Sequence, residues 1–197
     1  RRPRLRLPHN MTPPMDDTRR HLLLPFSLQR RSVALSFDPL FHPRGVAIIG
    51  ASADPGRIGG HTIRALKAAG YQGRIFPVNP KYPEVNGLPC YAHVSAIDAP
   101  CDLAVVAVPA PAVAGAIRDC GKAGIPFAVV LTAGFRETGP AGLALEAELK
   151  RAVAESGVRV IGPNCQGMLS VHDRVWAAFG SPTDETWLRA GSVSCTF

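Results

Sequence analysis

The chain has no C-x-x-C pair. Its five cysteines, Cys90, Cys101, Cys120, Cys165 and Cys195, are an odd number at irregular spacing, so neither a disulfide framework nor a zinc site is indicated. The six histidines form no H-x-x-x-H or similar ligand pair. No apolar run approaches the length of a membrane span, and the short Leu22 to Leu24 run does not make a secretory h-region. Outside the N-terminal segment charge of one sign is also scarce. Residues 1–31 hold eight arginines against Asp16 and Asp17, whereas residues 32–197 carry 14 basic and 13 acidic groups, so the net charge of +7 resides almost wholly in the first segment. A chain with this balance is expected to be soluble and cytoplasmic, with neither nucleic acid nor membrane as a partner of its main body.

The basic segment lacks apolar periodicity and is interrupted by Pro3, Pro8, Pro13, Pro14 and Pro25. It is expected to be a disordered tail or an over-extended N-terminus, because the chain begins at Arg1 while Met11 and Met15 stand downstream. Its arginines and acid-free first fifteen residues also suit a nucleic-acid contact or an organellar presequence.

What the chain does have is one informative turn. Residues 46–60 read VAIIGASADPGRIGG: four apolar residues, three of them β-branched, run into Gly50, then into a loop with Gly56, Gly59 and Gly60, then into the helical pattern HTIRALKAAG. A buried strand, a glycine-rich turn and a helix start form a cradle for an anion. Glycine permits close backbone approach, and the unpaired N–H groups of a helix N-terminus favour phosphate. Gly70 is expected to close that helix as a left-handed cap.

The spacing differs from a dinucleotide fingerprint, which reads G-x-G-x-x-G with an acid about 20 residues on. Here the loop is Gly50-x5-Gly56-x2-Gly59, and the next strand, RIFPV, ends in Asn79-Pro80-Lys81 with no acid. Lys81 and Arg57 suit a ligand with an extra phosphate near its ribose. Coenzyme A has one at the 3′ position and NADP one at the 2′ position; alternatively Lys81 only solvates a turn.

The logic then repeats. DLAVVAV leads to Pro109-Ala110-Pro111 and the helical AVAGAIRDCGKAG, FAVVLTAGF leads to Arg136-Glu137-Thr138, and GLALEAELKRAVAESG precedes VRVIG and Pro163-Asn164-Cys165. Strand alternating with helix throughout, with strands too continuously apolar to have a wet face, predicts an α/β fold: Rossmann-like, doubly wound, a mainly parallel sheet with helices on both faces. Ligands bind outside the carboxyl ends of such strands, and the informative residues all fall on that rim.

The ordered blocks GASADPGRIGG, GRIFPVNPK, DLAVVAVPAP, VVLTAGFRE and GVRVIGPNCQG resemble the N-terminal CoA-binding domain of the NDP-forming acyl-CoA synthetases, with the ADP-forming acetate–CoA ligases as the nearest pattern and the succinyl-CoA ligase α subunits more distant. The resemblance implies a CoA-binding domain over residues 39–182. It implies that Gly50, Ala51, Ser52, Arg57 and Gly59 meet the CoA diphosphate, that Val78, Asn79 and Pro80 border the adenosine, and that Lys81 meets the ribose phosphate. Val108 and Pro109 would line the pantetheine arm, and Ala133, Gly134 and Asn164 would lie toward the thiol, although Asn164 equally suits a loop cap. Glu137 is either a helix N-terminal acid favoured by the dipole or a participant in handling a phosphorylated intermediate. Cys165 lacks a basic partner and reads as a packed thiol.

No catalytic residue is implied within this chain. The family's phosphohistidine and ATP-grasp machinery, with ATP/ADP and Mg, belongs to other domains, in cis or as a separate subunit. Residues 183–197 resemble a linker and the first strand of a second CoA-ligase domain. A stand-alone nucleotide-binding regulator and an NADP-linked oxidoreductase fragment are the alternatives.

Overall fold

A computed structural model describes residues 36–180. The basic tail, Cys195 and the expected second-domain strand at 183–197 lie outside the described residues. Five strands form one parallel sheet: β1 (Gly45–Ile49), β2 (Arg74–Val78), β5 (Leu103–Val106), β6 (Phe127–Val130) and β7 (Arg159–Ile161), in the order β2-β1-β5-β6-β7. Every residue of β1, β5 and β6 is buried, as their unbroken apolar sequences require of strands covered on both sides. The order reverses between β1 and β5, and at such a reversal neighbouring connections leave in opposite directions and open a crevice above the strand ends.

Alternate residues of each strand build two separate cores. Ala47, Ile49, Val106 and Val130 face α3 (Ala110–Lys122) and α4 (Pro140–Ser156), whose Val113, Ile117 and Leu149 pack against them. Val46, Ile48, Val105 and Val129 face the other way, onto Ile63 and Leu66 of α2 (Ile58–Ala69). Gly70 ends α2 at φ 75° and ψ 38°, the left-handed cap expected from the sequence.

Strict strand–helix alternation does not hold. Two antiparallel hairpins interrupt it, β3 (Glu84–Val85) with β4 (Leu88–Pro89) and β8 (Gly167–Ser170) with β9 (Val175–Ala178). The second joins the α2 layer, where Met168, Val175 and Ala177 are buried beside Ile63 and Leu66, and the Thr62 hydroxyl donates to the Ala178 carbonyl at 3.4 Å. A short helix, α1 (Asp38–Phe41), adds Leu40 to that layer. Among the described residues no helix is long and apolar enough to cross a membrane.

At the opposite end of these strands from the crevice, Asp102 ties the start of β5 to the start of β1. Its carboxylate is 6% exposed and accepts from the Arg44 backbone N–H at 2.8 Å and from the guanidinium at 2.9 and 2.6 Å. Hydrogen bonds from Arg44 hold the Asp102 carboxyl below its ordinary value of 3.8. A depressed carboxyl stabilises the folded state fully above that ordinary value, and the contribution is lost as pH falls through the folded one. Asp102→Asn is therefore expected to cost about 1–3 kcal/mol near neutral pH, and its deficit against the parent should shrink at about pH 3. Urea midpoints at both pH values check this; a deficit independent of pH would mean that the carboxylate charge is not what the site uses.

Candidate functional site

The residues expected on the glycine loop (50–52, 57 and 59), at the end of β2 (78–81) and at the end of β5 (108 and 109) all line one cavity of about 1070 Å³ at the β1/β5 reversal. The turn out of β1 is made possible by Gly50, at φ 91°, where a β-carbon would stand 2.6 Å from the Ala107 carbonyl oxygen. A side chain there would therefore collide with the end of β5 as well as narrow the cradle.

The loop supplies its donors differently from the simple expectation. Gly50 and Ala51 turn their N–H groups onto the Val78 carbonyl, at 3.0 and 3.3 Å, so these amides clamp the ends of β1 and β2 together. Ser52 is buried, and its hydroxyl oxygen accepts from the Asp54 N–H at 3.1 Å, which leaves the hydroxyl hydrogen to donate elsewhere. The Asp54 carboxylate accepts the Gly56 N–H at 2.8 Å, and its carbonyl accepts the Arg57 N–H. What then faces the cavity is the start of α2. Its N-cap, Arg57, is extended and makes no side-chain capping bond, and Ile58 and Gly59 both line the cavity at the first turn, where N–H groups lack intrahelical acceptors. Their partial positive charge is the natural seat of a phosphate.

Gly59 stands there because the helix start rests on the strand end. A β-carbon at Gly59 would overlap the Gly50 carbonyl oxygen. Around the rim, Lys81 makes no ion pair among the described residues, whereas Arg57 lies only 3.8 Å from Asp54 with both side chains well exposed. Asn79 commits both ends of its side-chain amide to backbone: Nδ2 donates to the Ala51 carbonyl at 2.8 Å, and Oδ1 accepts the Lys81 N–H at 3.0 Å.

The opposite wall was not foreseen from the sequence. Val94 and Ser95, in a 3-10 turn at Val94–Ala96, face Gly115, Ala116 and Asp119 on one side of α3. The only signal for this wall is the run of small residues at helical spacing in AVAGAIRDCGKAG.

Ala133, Gly134 and Asn164 lie outside the cavity lining. They connect to it through Thr132, whose hydroxyl donates to the Val108 carbonyl at 2.7 Å and whose own carbonyl accepts the Asn164 N–H at 3.0 Å. The Gly134 N–H is already engaged. Glu137 accepts it at 2.6 Å together with the Phe135 N–H at 3.1 Å, and these backbone donors hold the Glu137 carboxyl below its usual range. Glu137 thus closes the 3-10 turn Arg136–Thr138 from within, rather than serving as an acid in the first turn of α4. Arg136 beside it binds both oxygens of Glu146 on α4, and with Lys150 holds that carboxyl at about 2. Cys165 is half-buried, donates toward the Val130 carbonyl at 3.4 Å, and has its thiol pKa pushed up by burial, as a packed thiol should.

The cavity thus unites the start of α2, Lys81 and an apolar edge at Val108 and Pro109. Residues 44–170 match the family described as "CoA binding domain". The chain belongs to this CoA-binding domain family. The CoA-binding domain is 40% identical over 148 residues to the ADP-forming acetate–CoA ligase I of Archaeoglobus fulgidus, covering 75% of this chain and 21% of that protein. It is 41% identical over 143 residues to the α subunit of the ADP-forming acetate–CoA ligase II of Pyrococcus furiosus, covering 72% and 31%. Among solved structures it is similar to dinucleotide-forming acetyl-coenzyme A synthetase 1 of Ca. Korarchaeum cryptofilum in complex with phosphate and ADP, with a TM-score of 0.70, 44% identity, and coverage of 74% and 31%. The chain spans about a fifth to a third of the length of these relatives.

Proposed function

We propose that this domain is the CoA-binding part of an NDP-forming acyl-CoA synthetase, an enzyme that joins a carboxylic acid to CoA at the expense of ATP, yielding acyl-CoA, ADP and phosphate. The observation that supports the reading is one cavity uniting the start of α2, which has no side-chain cap, Lys81, which makes no ion pair among the described residues, and the apolar Val108–Pro109 edge. These three features match the three chemical parts of CoA. The diphosphate sits over the Ile58 and Gly59 N–H groups and the Ser52 hydroxyl, with Arg57 alongside. The 3′-phosphate faces Lys81, a point charge on a flexible stem. The pantetheine arm passes Val108 and Pro109, where the ending strand needs no further donor and an apolar wall suffices.

The domain's own contribution is to bind and orient CoA or acyl-CoA so that the sulfur end leaves the crevice beyond β5. Phosphoryl transfer belongs to the remaining synthetase domains, in the same polypeptide or as a separate subunit, and ATP/ADP and Mg bind there. The relatives support both arrangements, since one is named as an α subunit and another as a whole ligase.

Calorimetric titration of the chain with CoA, dephospho-CoA and NADPH tests the reading. CoA is expected to bind more tightly than dephospho-CoA by on the order of 10- to 100-fold, the range of one or two charge-assisted hydrogen bonds. Lys81→Ala should remove most of that difference while leaving dephospho-CoA binding unchanged. Tighter binding of NADPH than of CoA would sink the assignment.

A further inference from the structure

We propose that Asn79 is a positioning residue that locks the phosphate loop and Lys81 into one rigid unit, so that the diphosphate and the 3′-phosphate are recognised together. The proposal rests on the reading of Lys81 as the 3′-phosphate contact.

Asn79 directly follows β2, and its polar groups are committed to the protein. Its backbone N–H donates to the Tyr91 carbonyl at 2.9 Å, and its carbonyl accepts from the Tyr82 N–H at 3.3 Å and the Cys90 thiol at 3.5 Å. The side-chain amide reaches in two directions, to the Ala51 carbonyl through Nδ2 at 2.8 Å and to the Lys81 N–H through Oδ1 at 3.0 Å. The partners dictate that orientation: a carbonyl accepts only from the NH₂ end, and an amide N–H donates only to the oxygen end. One small side chain therefore spans from the residue beside Ser52 to the backbone of the lysine. With the Gly50 and Ala51 N–H groups bonded back to the Val78 carbonyl, the loop after β1 and the turn after β2 are cross-tied in both directions.

The tie affects recognition because lysine has a long, freely rotating stem. Fixing the Lys81 backbone limits the volume its ammonium searches, and fixing it to Ala51 sets that volume relative to the loop that borders the diphosphate. A residue that merely stabilised the fold would weaken every ligand of the cavity alike. A residue that positions Lys81 weakens the 3′-phosphate contribution specifically.

Neither aspartate nor serine makes both bonds from this position. Aspartate would set an oxygen against the Ala51 carbonyl. Serine is short, and retains only the bond to the N–H two residues on, as Ser52 makes to Asp54 at 3.1 Å. Asn79→Ser and Asn79→Ala therefore separate the two halves of the tie.

The experiment measures Kd for CoA and dephospho-CoA by calorimetry on the full chain, for the parent, Asn79→Ala, Asn79→Ser, Lys81→Ala and the double variant Asn79→Ala/Lys81→Ala, with thermal unfolding to establish the folded fraction. The ratio of the two Kd values is expected to drop in Asn79→Ala by on the order of 3- to 10-fold, a coupling typical of residues in direct contact. In the Lys81→Ala background Asn79→Ala should leave the ratio unchanged. Asn79→Ser keeps the bond to the Lys81 N–H but loses the tie to Ala51, so its ratio should fall between those of the parent and Asn79→Ala, and that intermediate drop carries the test if Asn79→Ala does not fold. A parental ratio in Asn79→Ala, or in Asn79→Ser, overturns the positioning role alone. A parent protein that binds CoA and dephospho-CoA equally overturns the Lys81 reading and this proposal with it.

Discussion

Gly59→Ala is expected to lower the stability of the domain by about 2 kcal/mol and to weaken CoA binding by roughly tenfold or more, the consequence of losing one well-placed phosphate contact. The sign is informative because helix propensity alone predicts the opposite: exchanging a glycine inside a helix for alanine usually gains up to about 1 kcal/mol. Here the new methyl would overlap the Gly50 carbonyl oxygen and stand 2.9 Å from the Gly50 carbonyl carbon and 3.1 Å from the Ala51 Cα. All three atoms belong to backbone, so no side chain can rotate out of the way. The first turn of α2 must retreat from the end of β1, and Ile58 and Gly59, which line the cavity, retreat with it. A thermal melt and a calorimetric titration measure the two losses. A raised Tm would show that the start of α2 is not held against β1, and the proposed phosphate site would lose its structural basis.

The centre of the sheet could be read from the sequence because β1, β5 and β6 are short unbroken apolar runs, the pattern of strands buried on both faces. The glycine loop could be read because strand, glycines and helix start follow one another within fifteen residues. Long-range pairing was invisible by comparison. That the Gly50 and Ala51 amides turn onto Val78, 28 and 27 residues away, follows from the β1–β2 register and not from any local signal. The family resemblance implies Asn79 at the adenosine, and Asn79 lines the cavity, but no local signal shows that both ends of its amide are satisfied by backbone. The β8–β9 hairpin escaped because its strands owe their burial to α2, a partner about 100 residues earlier. The α3 wall escaped for a related reason. Helical spacing identifies the face carrying Val113, Ile117 and Cys120 as core, but does not say that small residues beside it border a cavity.

The residues expected at the thiol end pose a sharper question, and a second glycine answers it. Gly142→Ala is expected to cost about 3 kcal/mol, among the larger overpacking penalties, and to lower Tm by roughly 6–12 °C, while leaving CoA affinity of the folded protein unchanged. Gly142 lies in the first turn of α4, where a β-carbon would overlap the carbonyl group of Phe135 and the Thr138 hydroxyl. The hydroxyl can rotate; the carbonyl cannot. Nor can the turn back away, because Phe135 is 1% exposed in the core, Glu137 holds the Gly134 and Phe135 N–H groups, and Arg136 is bound through both oxygens of Glu146 on α4 itself. The strain therefore falls on α4 packing and not on the cavity, since neither this turn nor Gly142 lines it. Measured at a temperature where both variants are folded, Gly59→Ala should lose CoA and Gly142→Ala should keep it. If Gly142→Ala loses CoA as well, the turn after β6 contributes to binding, and Ala133 and Gly134 belong to the site as the family resemblance implies.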